Sequence, residues 1–177
     1  MKKISNIYIL FPLQIMLVLL SHQVYSQTGP GGVGNSATNV LWLKANDLSL
    51  IDEADVAVWS DASGNANDMS QPTAAFTPVF KPSIINGLPV VRFQKANNRI
   101  RRNAFAGFPT TAITAIYVNR NNGESQDATL SYNSSGLDND FLLWDSNSLQ
   151  VYRVNNTNVN STISFNDNNW HITNASW

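Results

Sequence analysis

The chain has 177 residues, 11 basic and 12 acidic side chains, and no cysteine. Such a length is one domain's worth and can bury a core. The slightly acidic balance leaves no electrostatic footprint for nucleic acid, and the lack of cysteine excludes a disulfide framework, a thiolate zinc site and a cysteine nucleophile.

Residues 1–26 read as a secretory signal peptide. Met1-Lys2-Lys3 is a basic start, Ile7 to Leu20 an apolar run, and Val24-Tyr25-Ser26 a segment that signal peptidase tolerates before Gln27. The run is shorter than the ~20 apolar residues of a spanning helix, and Pro12 interrupts it, so no membrane span is expected after cleavage. The expected address is outside the cell, secreted or at the cell surface.

Residues 27–39 form a Gly-rich leader. Gly29, Gly31 and Gly34 fit G-x-G-x-x-G, yet a dinucleotide loop needs a strand before it and a helix after it. Here a signal segment precedes and a strand candidate follows.

From Val40 onward short apolar or aromatic runs alternate with turn residues. Asn, Ser, Thr and Gly are plentiful, whereas Lys and Glu are too sparse to solvate amphipathic helices. Strands are predicted near Val40–Ala45, Val56–Trp59, Pro89–Phe93, Ala112–Arg120, Ala128–Tyr132, Asp140–Trp144, Leu149–Val154, Thr162–Phe165 and Trp170–Trp177. The period-two alternation is clearest in Thr111–Val118 and Leu149–Val154. Asn86-Gly87, Asn122-Gly123 and Ser135-Gly136 are turn dipeptides. Strands this short, separated by turns, are the pattern of a sandwich or barrel. Arg92 alternates with Val91 and Phe93, which predicts a more solvated face for Arg92. An apolar strand left at an open edge is prone to aggregate, so the run Trp170–Trp177 carries the expectation that the domain continues beyond Trp177. A complete domain with this run as an interior strand is the alternative.

Three segments carry a resemblance: Leu41-Trp42-Leu43-Lys44-Ala45, then Trp59 to Asp68 (WSDASGNAND), then Asn86 to Phe93 (NGLPVVRF). Together with the leader and the closing Asn169-Trp170-His171-Ile172, they resemble the concanavalin A-like, laminin-G-like jelly-roll domains of secreted bacterial surface proteins. The match spans roughly Gly29 to Trp177 and is loosest in the middle. The resemblance implies an all-β, antiparallel jelly-roll β-sandwich over residues 40–177, incomplete at its C-terminal side, and a binding or adhesion role within a larger exported protein.

Candidate chemistry is thin. Some glycanases use this fold, but their paired carboxylates, ~5–5.5 Å apart in retaining enzymes, sit on one strand as Glu-x-Asp-x-x-Glu. Glu53 and Glu124 lie in no such pattern, and Asp138-x-Asp140 falls in a turn. His22 belongs to the signal segment, leaving His171 with no nucleophile-elbow sequence to serve. Calcium takes six to eight oxygen ligands. Asp61, Asn65, Asn67 and Asp68 crowd one loop with such oxygens, and Asp138, Asn139 and Asp140 form a second cluster. Ordinary Asx-turn chemistry explains both clusters and outweighs a structural Ca2+ site. Glycans stack on exposed aromatic faces, which singles out Trp144, Tyr152, Tyr132 and Tyr117, although aromatics at strand spacing belong by default to the core. The expected function is a secreted, non-catalytic module that recognises glycans or cell-surface ligands. An accessory domain of a glycoside hydrolase and a ligand-free structural spacer are the alternatives.

Overall fold

The computed structural model describes residues 29–94, 97–107, 109–122, 128–133, 141–146, 149–164 and 166–177. The signal segment, Glu124, the Asp138–Asp140 cluster, the Ser135-Gly136 turn, Gly123 of the Asn122-Gly123 turn and the strand ends expected at Asp140 and Phe165 lie outside these residues. The described chain is all-β: its helical content is confined to single 3-10 turns at Pro30–Gly32, Ala45–Asp47 and Ala74–Phe76. It divides into two compact units, Met1–Phe108 and Pro109–Trp177.

In the first unit, β1 (Val58–Trp59) pairs antiparallel with β2 (Met69–Ser70), and β3 (Val79–Ile85) with β4 (Leu88–Arg92). Asn86 and Gly87 join β3 to β4 with φ of 49° and 77°, the left-handed pair that a two-residue hairpin turn with the native strand twist requires. The sequence did not suggest β3 because of Pro82. The register shifts between Lys81 and Ile85, where Pro82 has no N–H to donate and Ser83 takes φ 54°. Val56, Val79 and Phe80 are buried here. Backbone bonds from Val56 N–H to Pro78 O (2.9 Å) and from Phe80 N–H to Ala54 O (2.9 Å) tie the Ala54–Val56 segment to β3.

Two expectations fail in this unit. Val40–Ala45 is not a strand; it makes one bridge, Leu43 to Asp61, and turns at Ala45. The Trp42 N–H that a ladder would use goes instead to the Asp61 carboxylate, at 2.9 Å. Phe93 is 51% exposed while Arg92 is half-buried, the reverse of the alternation expected at the end of β4. The ladder stops at Arg92, opposite Val79, so the pleat no longer fixes which way Phe93 points.

In the second unit, β6 (Ala128–Tyr132), β7 (Phe141–Ser146), β8 (Leu149–Val154) and β9 (Thr157–Ser164) form an antiparallel meander. Asn155 and Asn156, at φ 45° and 66°, close the β8–β9 hairpin at once, which starts β9 earlier than its apolar content suggests. A separate pair joins β5 (Thr114–Asn119) to β10 (His171–Ser176), and reciprocal bonds between Ile113 and Trp177, both 2.9 Å, extend it. Phe141, Leu143 and Ala175 are the buried centre, with Ile113, Tyr117, Leu130, Tyr132, Tyr152 and Val154 packed around them. One core is therefore shared by β7 of the meander and β10 of the two-stranded pair. The opposite face of that pair carries Ile116, Val118 and Ile172, exposed by 68%, 56% and 80%.

Candidate ligand-binding site

The Asp61 loop brings its four sequence candidates together, mostly through bonds to backbone. Asp61 Oδ1 accepts from the N–H groups of Trp42 and Ser63, each at 2.9 Å. Its Oδ2 accepts from the Ser63 hydroxyl at 2.7 Å and the Asn67 N–H at 3.0 Å. Asp68 Oδ1 receives the Asp61 N–H at 2.8 Å. The Asn65 amide donates to the carbonyls of Ser36 (2.8 Å) and Asn39 (3.0 Å). Fully buried Asn67 donates to the carbonyls of Val40 (2.8 Å) and Ala106 (2.9 Å) and accepts the Ala106 N–H at 2.7 Å. An ionised carboxylate offers about four lone-pair sites, and the protein itself fills them on Asp61. Burial pushes the Asp61 carboxyl up, but the hydrogen bonds from Trp42, Ser63 and Asn67 outweigh it, and the net shift is downward. The loop thus acts as a set of pins holding residues 36–42 and Ala106 to one turn. A cation would have to displace those donors.

The aromatic candidates separate onto different surfaces. Tyr132 packs 5.9 Å from the Phe141 ring and donates its hydroxyl to Pro109 O. Tyr152 packs on the same cluster, and Tyr117 reaches Gln150 Oε1 at 3.4 Å. Burial pushes the Tyr117 phenol up to about 12. These three tyrosines serve the core. Trp144 alternates onto the other face of β7, opposite Val151, and is half-buried. Its indole N–H is enclosed with no hydrogen-bond partner among the described residues. Glu53, the carboxylate weighed for hydrolysis, is held by Lys81 at 2.6 Å beside Asp52, which Lys81 also pairs at 2.6 Å.

A different aromatic, Trp170, faces a cation across the sheet. In the β5–β10 ladder His171 stands opposite Asn119, so the next pair outward is Arg120 and Trp170. The Arg120 guanidinium lies 5.3 Å from the Trp170 ring centroid, a cross-strand cation–π pair at the end of the sheet. Trp170 is half-buried and Arg120 exposed. The loop before Trp170 is fixed by Asp167. Its Oδ1 meets His171 Nε2 at 2.8 Å and the Asn169 N–H at 2.9 Å, and its Oδ2 accepts from the Asn169 amide at 3.0 Å. The His171 hydrogen bond and those of Asn169 hold the Asp167 carboxyl well below the usual carboxylate range. Asn168, at φ 62°, donates its N–H to Asn121 O at 2.9 Å, and Asn166 donates to Asp145 at 2.8 Å. The Arg120–Trp170 pair and the Asp167–Asn169–His171 hydrogen bonds therefore lie at the same end of the two-stranded sheet, with His171 on the Thr173–Ala175 side of β10. The sequence places Trp170-His171 in a strand and in the segments that carry the resemblance, and assigns the pair no ligand. The Trp170–Arg120 pairing depends on a register between strands far apart in sequence, which no local pattern displays.

No protein-family model matches the chain, and no curated protein and no solved structure is significantly similar to it.

Proposed function

We propose that the chain is a secreted, non-catalytic binding module with a concanavalin A-like jelly-roll fold, recognising glycans through the Trp170 end of the β5–β10 sheet. The observation that carries this reading is the Arg120–Trp170 pair at the end of the sheet. A sugar presents an apolar C–H face and hydroxyl groups on its rim. An aromatic ring suits the first, and guanidinium, carboxylate and amide groups suit the second. The hydrogen bonds of Asp167 hold the loop in place before any ligand arrives, which reduces the ordering entropy that binding must overcome. The shared core of two antiparallel sheets supports the sandwich reading, and the basic-then-apolar N-terminus supports export. Ca2+ is not part of this proposal, since the Asp61 oxygens already accept four hydrogen bonds from the protein.

A glycan array tests the function. Trp170→Ala is expected to weaken the strongest hits by about tenfold or more, equivalent to ~1.4 kcal/mol. Arg120→Gln should weaken them to a similar or smaller degree. Trp144→Ala is expected to act on stability rather than on selectivity. An array silent with and without calcium would reject recognition and favour the structural spacer.

A further inference from the structure

The first unit carries an exposed basic groove. Arg101 is bridged to Ser70 through reciprocal backbone bonds of 2.8 and 3.0 Å, which lays the segment after Ile100 along β2. Ser70, Pro72, Arg101, Arg102, Asn103 and Ala104 then line a groove of about 320 Å³. All six are exposed. The Arg102 side chain is fixed by its Nε–H, which donates to Ala104 O at 3.0 Å and leaves the terminal guanidinium nitrogens for other acceptors. Arg99, two residues before Arg101 and outside the groove lining, lies 4.4 Å from the Phe76 ring centroid. None of the three arginines forms an ion pair with a described residue. In a chain with more acidic than basic side chains, three cations within four residues are a local reversal of sign.

We infer that this groove binds a polysaccharide bearing carboxylates on its sugar rings. Guanidinium groups match carboxylates in planar, two-bond geometry. The Asn103 amide and the Ser70 hydroxyl suit ring hydroxyls, and Pro72 and Ala104 give the groove an apolar portion for a sugar face. That mixture favours an acidic sugar over a bare anion. The inference does not depend on the Trp170 site, which belongs to the second unit.

The test uses the whole chain with polygalacturonate, neutral dextran, dextran sulfate and duplex DNA as probes, read by affinity electrophoresis or calorimetry. Polygalacturonate should bind, and neutral dextran should not. Binding should weaken steeply as salt rises, because exposed charge pairs are screened over a Debye length of about 8–10 Å. The double variant Arg101→Gln with Arg102→Gln should lose about tenfold in affinity while keeping its circular dichroism spectrum and melting temperature. The corresponding Lys pair should recover part of that loss, since the charge returns without the planar fork. Lys44→Gln, which removes one charge elsewhere in the unit, should change nothing. Absence of polygalacturonate binding, or binding that survives the Gln pair, would overturn the inference. Tighter binding of dextran sulfate would overturn the carboxylate assignment, and equal binding of DNA would overturn the polysaccharide assignment.

Discussion

Asp61 carries four hydrogen bonds on one carboxylate, two to each oxygen, and one of them takes the Trp42 N–H that a ladder over Val40–Ala45 would use. Removing it orphans donors that are partly buried. Asp61→Ala is expected to destabilise the fold by about 1–2 kcal/mol at neutral pH, the lower part of the range for hydrogen bonds to a charged group because Asp61 is only half-buried. The pH dependence has a defined sign. The folded carboxyl titrates below its ordinary 3.8, so its contribution is complete above that value and is lost as pH falls through the lower folded value. In urea denaturation across acid pH, the gap between wild type and variant should close on the acid side. Calcium should leave both melting temperatures unchanged; a calcium-dependent rise confined to wild type would make the loop a cation site. Tyr117 shifts the other way. Its folded pKa, raised from 10.0 to about 12 chiefly by burial, means that its contribution is complete below 10.0 and is lost as pH rises through about 12. Tyrosinate absorbance should show a late-titrating component that disappears in Tyr117→Phe. Titration of every tyrosine near 10.0 would mean that this ring is solvated.

Among the strands, legibility followed apolar alternation. Thr114–Asn119 overlaps, and Leu149–Val154 matches, a run where alternation is plain. Val79–Ile85 was hidden by Pro82, and the first half of Thr157–Ser164 by its Asn-rich, mostly exposed sequence. Asn86-Gly87 was readable because turn chemistry is local. Asn155-Asn156 makes the same kind of left-handed turn without the glycine that signals it. The candidate sites divide in the same way. The Asp61 loop was visible as a cluster, and local Asx bonding accounts for its Ser63 contacts, but its pins to Trp42, Val40 and Ala106 span 19 to 39 positions, beyond any local pattern. The Trp170–Arg120 pair was not visible, because it arises only when β10 meets β5. The β3–β4 turn offers a direct test. A Cβ at Gly87 would meet nothing within 4 Å, so the effect of Gly87→Ala is confined to the backbone at φ 77°. It should destabilise by about 1–2 kcal/mol in urea denaturation. A neutral result would mean that the turn relaxes to another type.

Across the whole molecule, each unit has its own buried apolar residues: Val56, Val79 and Phe80 in one, Phe141, Leu143 and Ala175 in the other. Leu143→Ala, at a fully buried position, should therefore cost about 2–5 kcal/mol. Ile172→Ala, at a position 80% exposed, should stay within about 0.5 kcal/mol in the same denaturation experiment. A large loss at Ile172 would show that something covers the outer face of the β5–β10 pair.

The pairing of Thr114 with Ser176 spans 62 positions of sequence, and Ala175 supplies part of the core that β7 shares. On the ribosome, the β6–β9 meander is finished before β10 exists. At about 5–20 residues per second, its apolar face waits on the order of a second for its cover. Contacts this distant also slow closure after synthesis. During biogenesis this half of the protein is an open chain with one greasy side, the state that a holding chaperone grips and a translocation channel can thread.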